Sequence, residues 1–185
     1  MGKVRLHPAA AAAGLPAISA PAPIRADHDL STFDCGDAAL NDWLKTRANR
    51  GEGRHARTYV VSVGRQVVGY YCTSAGSVER SGTPGKLRKN APDAVSVSII
   101  GRLAVHKDFG GRGLGSNLLA DAFRRIVSAS EVIGIAAVLV HAKNDAARQF
   151  YLSCADFIEY PAESRTLFLP IDTIKAALNA PANNP

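Results

Sequence analysis

Six residues, Gly110-Gly111-Arg112-Gly113-Leu114-Gly115, constrain this chain more than any others. They follow a β-branched stretch, residues 95–105. They precede a segment in which Leu119, Ala122, Phe123, Ile126 and Val127 recur at i, i+3, i+4, i+7 and i+8, the spacing of an amphipathic helix. A glycine turn between strand and helix lets the backbone approach a ligand closely. The helix start then offers N–H groups and the positive end of its dipole to phosphate oxygens. Arg112 adds a full positive charge, and Ser116 follows as the next residue of the helix start. Two common phosphate binders are excluded. A P-loop requires lysine immediately before Ser116, where Gly115 stands. A dinucleotide fingerprint counted from Gly113 requires glycine at 118, where Leu118 stands.

The rest of the chain fits around that turn. Its 185 residues allow one compact domain, and 46% hydrophobic residues suffice for a core. No apolar run approaches the ~18–20 residues that span a bilayer, so no membrane partner is expected. Cys35, Cys72 and Cys154 are widely spaced with no CxxC pair. That argues against a disulfide framework and a cysteine-based zinc site, and for a reducing, cytoplasmic setting. No metal is expected. Residues 1–25 are Ala/Pro-rich and read as a flexible N-terminal arm rather than a signal peptide. Residues 26–178 read as a single domain and 179–185 as a tail.

Within the domain, Asp37 is placed to cap a first helix carrying Leu40, Trp43, Leu44 and Arg47 at i, i+3, i+4, i+7. Residues 58–63 and 67–73 flank a Gly64-Arg65-Gln66 turn and predict a hairpin. Residues 76–94, rich in glycine, proline and basic groups, predict a long surface loop. IAAVLV at 135–140 predicts a strand buried on both faces, with a short helix from Asn144 through Tyr151. A last strand is predicted at 165–169, and a C-terminal helix from Ile171. The alternation of strands and helices is that of an α/β or α+β fold.

Charge is concentrated in the middle. Residues 43–112 hold 13 of the 22 basic residues and 4 of the 16 acidic ones, a local net of +9 that leaves −3 elsewhere. Lys45, Arg47, Arg50, Arg54 and Arg57 follow one another around the first helix, and Lys86, Arg88 and Lys89 lie in the predicted loop. A cluster of this kind suits a polyanion such as an RNA backbone.

The stretch GRLAVHKDFGGRGLGSNLLADAFRR (101–125) resembles the main motif of the acetyl-CoA-dependent N-acetyltransferases of the GNAT fold. That fold has a mixed, mostly antiparallel twisted sheet, splayed at the cofactor site and flanked by helices. The resemblance implies that residues 110–116 hold the pyrophosphate of acetyl-CoA. It implies that the main chain at Leu103, Ala104 and Val105 meets the pantetheine arm, and that Asn144 touches the cofactor, besides capping its helix. The family's usual pattern is Gln/Arg-x-x-Gly-x-Gly/Ala, and Gly110 departs from its first position, so a side-chain contribution is lost there.

FYLSCADF (150–157) is similar to the family's FYxxxGF, with one extra residue before the phenylalanine. Tyr151 matches the catalytic tyrosine. A phenol of pKa about 10 stays protonated at neutral pH and can donate to a departing thiolate. No general base stands out: His106, His141 and Glu79 are candidates by residue type alone. An α-amine, pKa about 7.7–8.0, is already partly neutral and needs less help than a lysine at about 10.4.

FDCGDAALNDWLKTRA (33–48), GKLRKNAPDAVSVSIIGRLAVHKDF (85–109) and SRTLFLPI (164–171) resemble the GNAT toxins of type II toxin–antitoxin pairs. That resemblance implies acetylation of the α-amine of aminoacyl-tRNA, a block in translation, a homodimer and a ribbon-helix-helix antitoxin, with operator DNA reached only through the antitoxin. It leaves open a GNAT acting on a small amine or a protein N-terminus, and a weakly catalytic regulator that binds CoA or nucleic acid. Arg102 is placed either to reach substrate or to form a structural ion pair.

Overall fold

The computed structural model describes residues 17–162 and 164–180. Seven strands form one mixed sheet in the order β1-β2-β3-β4-β5-β7-β6. They are β1 (Ala22–Pro23), β2 (Arg57–Val63), β3 (Gln66–Glu79), β4 (Ala94–Val105), β5 (Ala137–His141), β6 (Ile158–Glu159) and β7 (Thr166–Pro170). The helices are α1 (Ala38–Thr46), α2 (Ala48–Gly51), α3 (Gly85–Arg88), α4 (Leu114–Ser130), α5 (Asp145–Cys154) and α6 (Ile171–Asn179). The β4–β5 pairing is parallel, whereas β1–β2, β2–β3, β5–β7 and β6–β7 are antiparallel. The architecture is the mixed α/β one expected.

The described residues divide into two compact units, one built from residues 17–74 together with Ile100–Ala122, the other from Ala75–Ile99 and the described residues from Phe123 onward. In the first, Asp37 caps α1 by accepting from the Ala39 and Leu40 amides at 3.0 and 3.2 Å. This directs Leu40, Trp43 and Leu44 onto a core of Ile24, Phe33, Ala48, Val60, Val67, Tyr70 and Ala104. The β2–β3 hairpin turns at Gly64, whose φ of +58° favours glycine.

Three expectations change in detail. The loose arm was expected to reach residue 25. Instead, the Ser19 amide donates to Ser62 O (2.8 Å), Ala22 pairs with Val60, and Ile24 is buried. The Ala/Pro composition concealed an edge strand, where proline is tolerated because one side of the strand is unpaired. Residues 1–16 and 181–185 lie outside the described residues.

The predicted loop at 76–94 is shortened because β3 runs on to Glu79 and is followed by a 3-10 turn at Arg80–Gly82 and by α3. A Cβ on Gly76 would sit 2.5 Å from Ile99 Cδ1. This glycine marks a close approach inside a strand, not a turn. The third change is the added two-residue strand β6, paired with β7.

In the second unit the parallel β4–β5 ladder comprises three pairs, Val97↔Ala137 to Ile99↔Leu139, although β4 itself continues to Val105. Its core joins Val97, Ala137, Leu139 and Phe168, with Val78, Leu87, Ile99 and Tyr160 packed against it. Among the described residues no helix is long and apolar enough to cross a membrane.

Candidate active site

The glycine turn begins at the end of β4 and is held from behind. The His106 amide donates to Val68 O (2.9 Å), and its Nδ1 accepts from the Asp108 amide (3.2 Å), capping the 3-10 turn Lys107–Phe109. Its Nε2 faces Thr32 O at 3.2 Å, close enough for an Nε2–H to donate to that carbonyl. With 7% of its surface exposed and both ring nitrogens engaged, His106 serves the loop and not proton transfer.

Lys107 Nζ meets Asp34 Oδ2 at 2.7 Å. The same carboxylate accepts from the Gly36 amide and from Asn41 Nδ2, each at 2.9 Å. These contacts, Lys107 first, hold the Asp34 carboxyl well below the usual range.

Beyond this anchor the turn is exposed. Gly111 and Gly113 have φ of +71° and +76°, and a Cβ on either would meet nothing within 4 Å. Glycine is required here by backbone conformation, not by crowding. Gly110 has a φ of −65°, which any residue adopts. Arg112 lies over the Phe109 ring, 5.7 Å from its centroid. α4 opens at Leu114 and continues through Gly115 and Ser116; the Asn117 amide closes its first turn on Gly113 O at 3.0 Å. Amides ahead of the first closing bond of a helix lack an intrahelical acceptor, and that end carries the positive pole. The turn thus has the conformation and polarity to take a diphosphate. On β4, Ala104 is buried, while Leu103 and Val105 are partly exposed.

Asn144 and Tyr151 belong to α5. Asn144 is its N-cap, accepting from the Ala147 amide at 2.8 Å. Tyr151 is 6% exposed, its ring edge-on to Phe150 (5.2 Å) and Phe157 (5.9 Å). The extra residue before Phe157 is absorbed where α5 ends at Cys154 and the Ala155 amide closes on Tyr151 O. His141 is exposed with Nδ1 3.2 Å from Thr166 Oγ1, and Glu79 is exposed beside Ser81. Neither environment marks a base.

The basic residues separate into two kinds. Lys45, Arg47, Arg50 and Arg54 are exposed on α1, α2 and the turn after them, and none forms an ion pair among the described residues. Arg57 pairs with Glu52 at 3.6 Å. On α3, Lys86 and Lys89 are exposed, whereas Arg88 Nη2 donates to Thr83 O (2.7 Å), Tyr160 Oη (2.7 Å) and Ser81 O (3.2 Å). Arg88 is engaged in holding its own segment.

One arrangement went unread in the sequence. The Arg102 guanidinium carbon lies 4.4 Å from the Trp43 ring centroid, and Trp43 stacks on Tyr70 at 5.8 Å and 15°. The apolar stripe of α1 signalled Trp43 only as core. Among the described residues, no group of three or more His, Cys, Asp or Glu is placed to hold a metal ion.

A family model described as an acetyltransferase (GNAT) domain matches residues 54–154. The chain is 41% identical over 162 residues to a tRNA-acetylating toxin of Mycobacterium tuberculosis, covering 86% of this chain and 96% of that protein. The structure of AtaT complexed with acetyl-methionyl-tRNAfMet superposes with a TM-score of 0.80 at 32% identity, covering 88% and 99%. A tyrosine-to-phenylalanine mutant of the AtaT toxin, bound to the C-terminus of the antitoxin AtaR and acetyl-CoA, gives a TM-score of 0.76 at 30% identity, covering 88% and 99%.

Proposed function

The chain belongs to the GNAT family of acetyl-CoA-dependent acetyltransferases, and we propose that it transfers acetyl to the α-amine of aminoacyl-tRNA as the toxin of a toxin–antitoxin pair. The observation that carries the cofactor half is the pair of left-handed glycines, Gly111 and Gly113, at the mouth of α4. The acceptor half is supported by the M. tuberculosis relative and the AtaT complex, and by the unpaired cations of α1 and α2.

Acetyl-CoA supplies an activated thioester whose carbonyl carbon accepts the amine nitrogen; the C–N bond forms, the C–S bond breaks, and the departing thiolate requires a proton. In this reading residues 110–116 bind the diphosphate through backbone amides and Arg112, the main chain of Leu103–Val105 aligns the pantetheine arm, and Asn144 contacts the cofactor. Tyr151 Oη donates to the sulfur. Full transfer from a phenol to a thiolate of ordinary basicity is uphill by about 2 kcal/mol, so donation becomes proton transfer late. An α-amine is sufficiently neutral at pH 7–8 to attack without a dedicated base, in keeping with the engagement of His106. Lys45, Arg47, Arg50 and Arg54, with Lys86 and Lys89, hold the RNA backbone.

The same reading makes the chain a cytoplasmic homodimer neutralised by a ribbon-helix-helix antitoxin, which alone contacts operator DNA. The AtaT–AtaR complex supports a partner of the antitoxin class.

Labelled acetyl-CoA incubated with charged and deacylated tRNA tests the function. Label in the charged pool alone is the expected result. Label only in small amines or protein N-termini overturns the acceptor. Cofactor binding without transfer favours a regulator, the reading to which Gly110 lends support.

A further inference from the structure

Three cations of the first unit have carboxylate partners: Lys107 pairs with Asp34, Arg57 with Glu52, and Arg25 with Asp27. Arg102 is different. It is partly buried on β4, next to Leu103, and no carboxylate pairs with it among the described residues. Its neighbours do not neutralise it. Burial pushes up the Cys72 thiol beside it and the Tyr70 phenol, so both stay uncharged. Its charge is met by the Trp43 ring and the neutral Cys72 thiol but by no carboxylate, which leaves it able to take an anionic partner.

Arg102 is also held rigidly. Its guanidinium carbon lies over the Trp43 ring; Trp43 stacks on Tyr70; Tyr70 is edge-on to Phe33 and donates its hydroxyl to Leu40 O at 2.9 Å. Trp43 is thus in contact with both Tyr70 and Arg102, so much of its ring surface is already covered. The guanidinium is itself partly exposed. Its outward face can stack on a nucleobase, and its N–H edge can meet a phosphate, with little conformational freedom left to lose.

We propose that Arg102, fixed on the Trp43–Tyr70 stack, is the docking point for a nucleotide at the acceptor end of the RNA substrate. The inference rests on the aminoacyl-tRNA reading. Arg102 immediately precedes the Leu103–Val105 segment assigned to the pantetheine arm, so the nucleotide it meets is one close to the aminoacyl ester. The exposed cations of α1 and α2 supply diffuse attraction to the backbone, whereas Arg102 supplies position. A nucleotide is also present in coenzyme A, and the experiment separates the two sources.

Full-length Arg102→Ala, Arg102→Lys, Trp43→Leu and the Arg102→Ala/Trp43→Leu double variant are compared with wild type by equilibrium binding of bulk aminoacyl-tRNA, by binding of acetyl-CoA, and by acetyl transfer. Arg102→Lys keeps the charge and tests the plane, and it decides the matter should Arg102→Ala fail to fold. Both Arg102 variants are expected to weaken tRNA binding about tenfold. Acetyl-CoA binding should stay within about twofold of wild type. Trp43→Leu should add little to Arg102→Ala, because the two act as one unit.

Wild-type tRNA affinity in Arg102→Lys reduces the residue to an ordinary charge and overturns the proposal. Weakened acetyl-CoA binding with intact tRNA binding moves the nucleotide to the cofactor and also overturns it. A wild-type protein that binds tRNA through Arg102 but transfers no acetyl to charged tRNA sinks the functional reading and leaves the docking point standing.

Discussion

Lys107 Nζ and Asp34 Oδ2, 2.7 Å apart, tie the residue three positions before the glycine turn to the segment that leads into α1. The Lys107 amide repeats the link on Asp34 O at 2.9 Å. The turn therefore inherits its position from a polar anchor of one carboxylate and three donors.

Asp34→Asn should loosen that anchor. Acetyl-CoA affinity is expected to fall about two- to fivefold at pH 7, the range of an exposed ion pair. The Asp34 carboxyl is held below its ordinary value of 3.8 in the fold. Its stabilisation is thus complete above that value and fades as pH falls beneath it. Thermal midpoints of wild type and Asp34→Asn should differ near neutrality and converge between about pH 4 and pH 2. A difference that persists in acid contradicts the assignment.

The three turn glycines should behave unequally. Gly111→Ala and Gly113→Ala each place a side chain in left-handed backbone, costing about 1–2 kcal/mol, and calorimetry should show weaker acetyl-CoA binding. Gly110→Ala carries no such strain, although its Cβ would come 3.3 Å from Lys107 O. Gly110→Arg, which restores a donor at the first motif position, should tighten acetyl-CoA about threefold. Equal losses at all three positions would argue against a backbone role.

Tyr151→Phe keeps a ring between Phe150 and Phe157. Acetyl-CoA affinity should hold, and stability should change by no more than one lost hydrogen bond, about 1 kcal/mol. Single-turnover transfer should slow about 10²–10⁴-fold. A rate within a few-fold of wild type would place the proton donor elsewhere.

Lys45→Ala and Arg47→Ala should each weaken tRNA binding and lower its logarithmic salt slope by about 0.7–0.9. Arg88→Ala should leave that slope unchanged. It should instead accelerate amide exchange across α3, since Thr83 O and Tyr160 Oη lose their shared donor. A lowered slope for Arg88→Ala would make it an RNA contact after all.

What could be read in advance was local. Glycines dense at a strand–helix boundary announce the turn, and Asp37 announces the start of α1, because both effects act over a few residues. Gly76 misled for the same reason: it reads locally as a loop, and only the distant Ile99 side chain explains it. Arg88 read as a surface cation because its acceptors, Ser81, Thr83 and Tyr160, come together only on folding. Trp43 and Arg102 lie on separate elements with nothing in either segment to announce the other. β1 was hidden because its sole signature is pairing with β2.

β1 carries a practical consequence. With Pro23 and Ser19 laid along β2, the outermost amides and carbonyls of that strand are already taken, and Pro23 offers no N–H to a newcomer. A shortened form beginning after Ile24 would bare that row to strands of other molecules. It is expected to self-associate on purification, so tags and fusions belong ahead of Ile18.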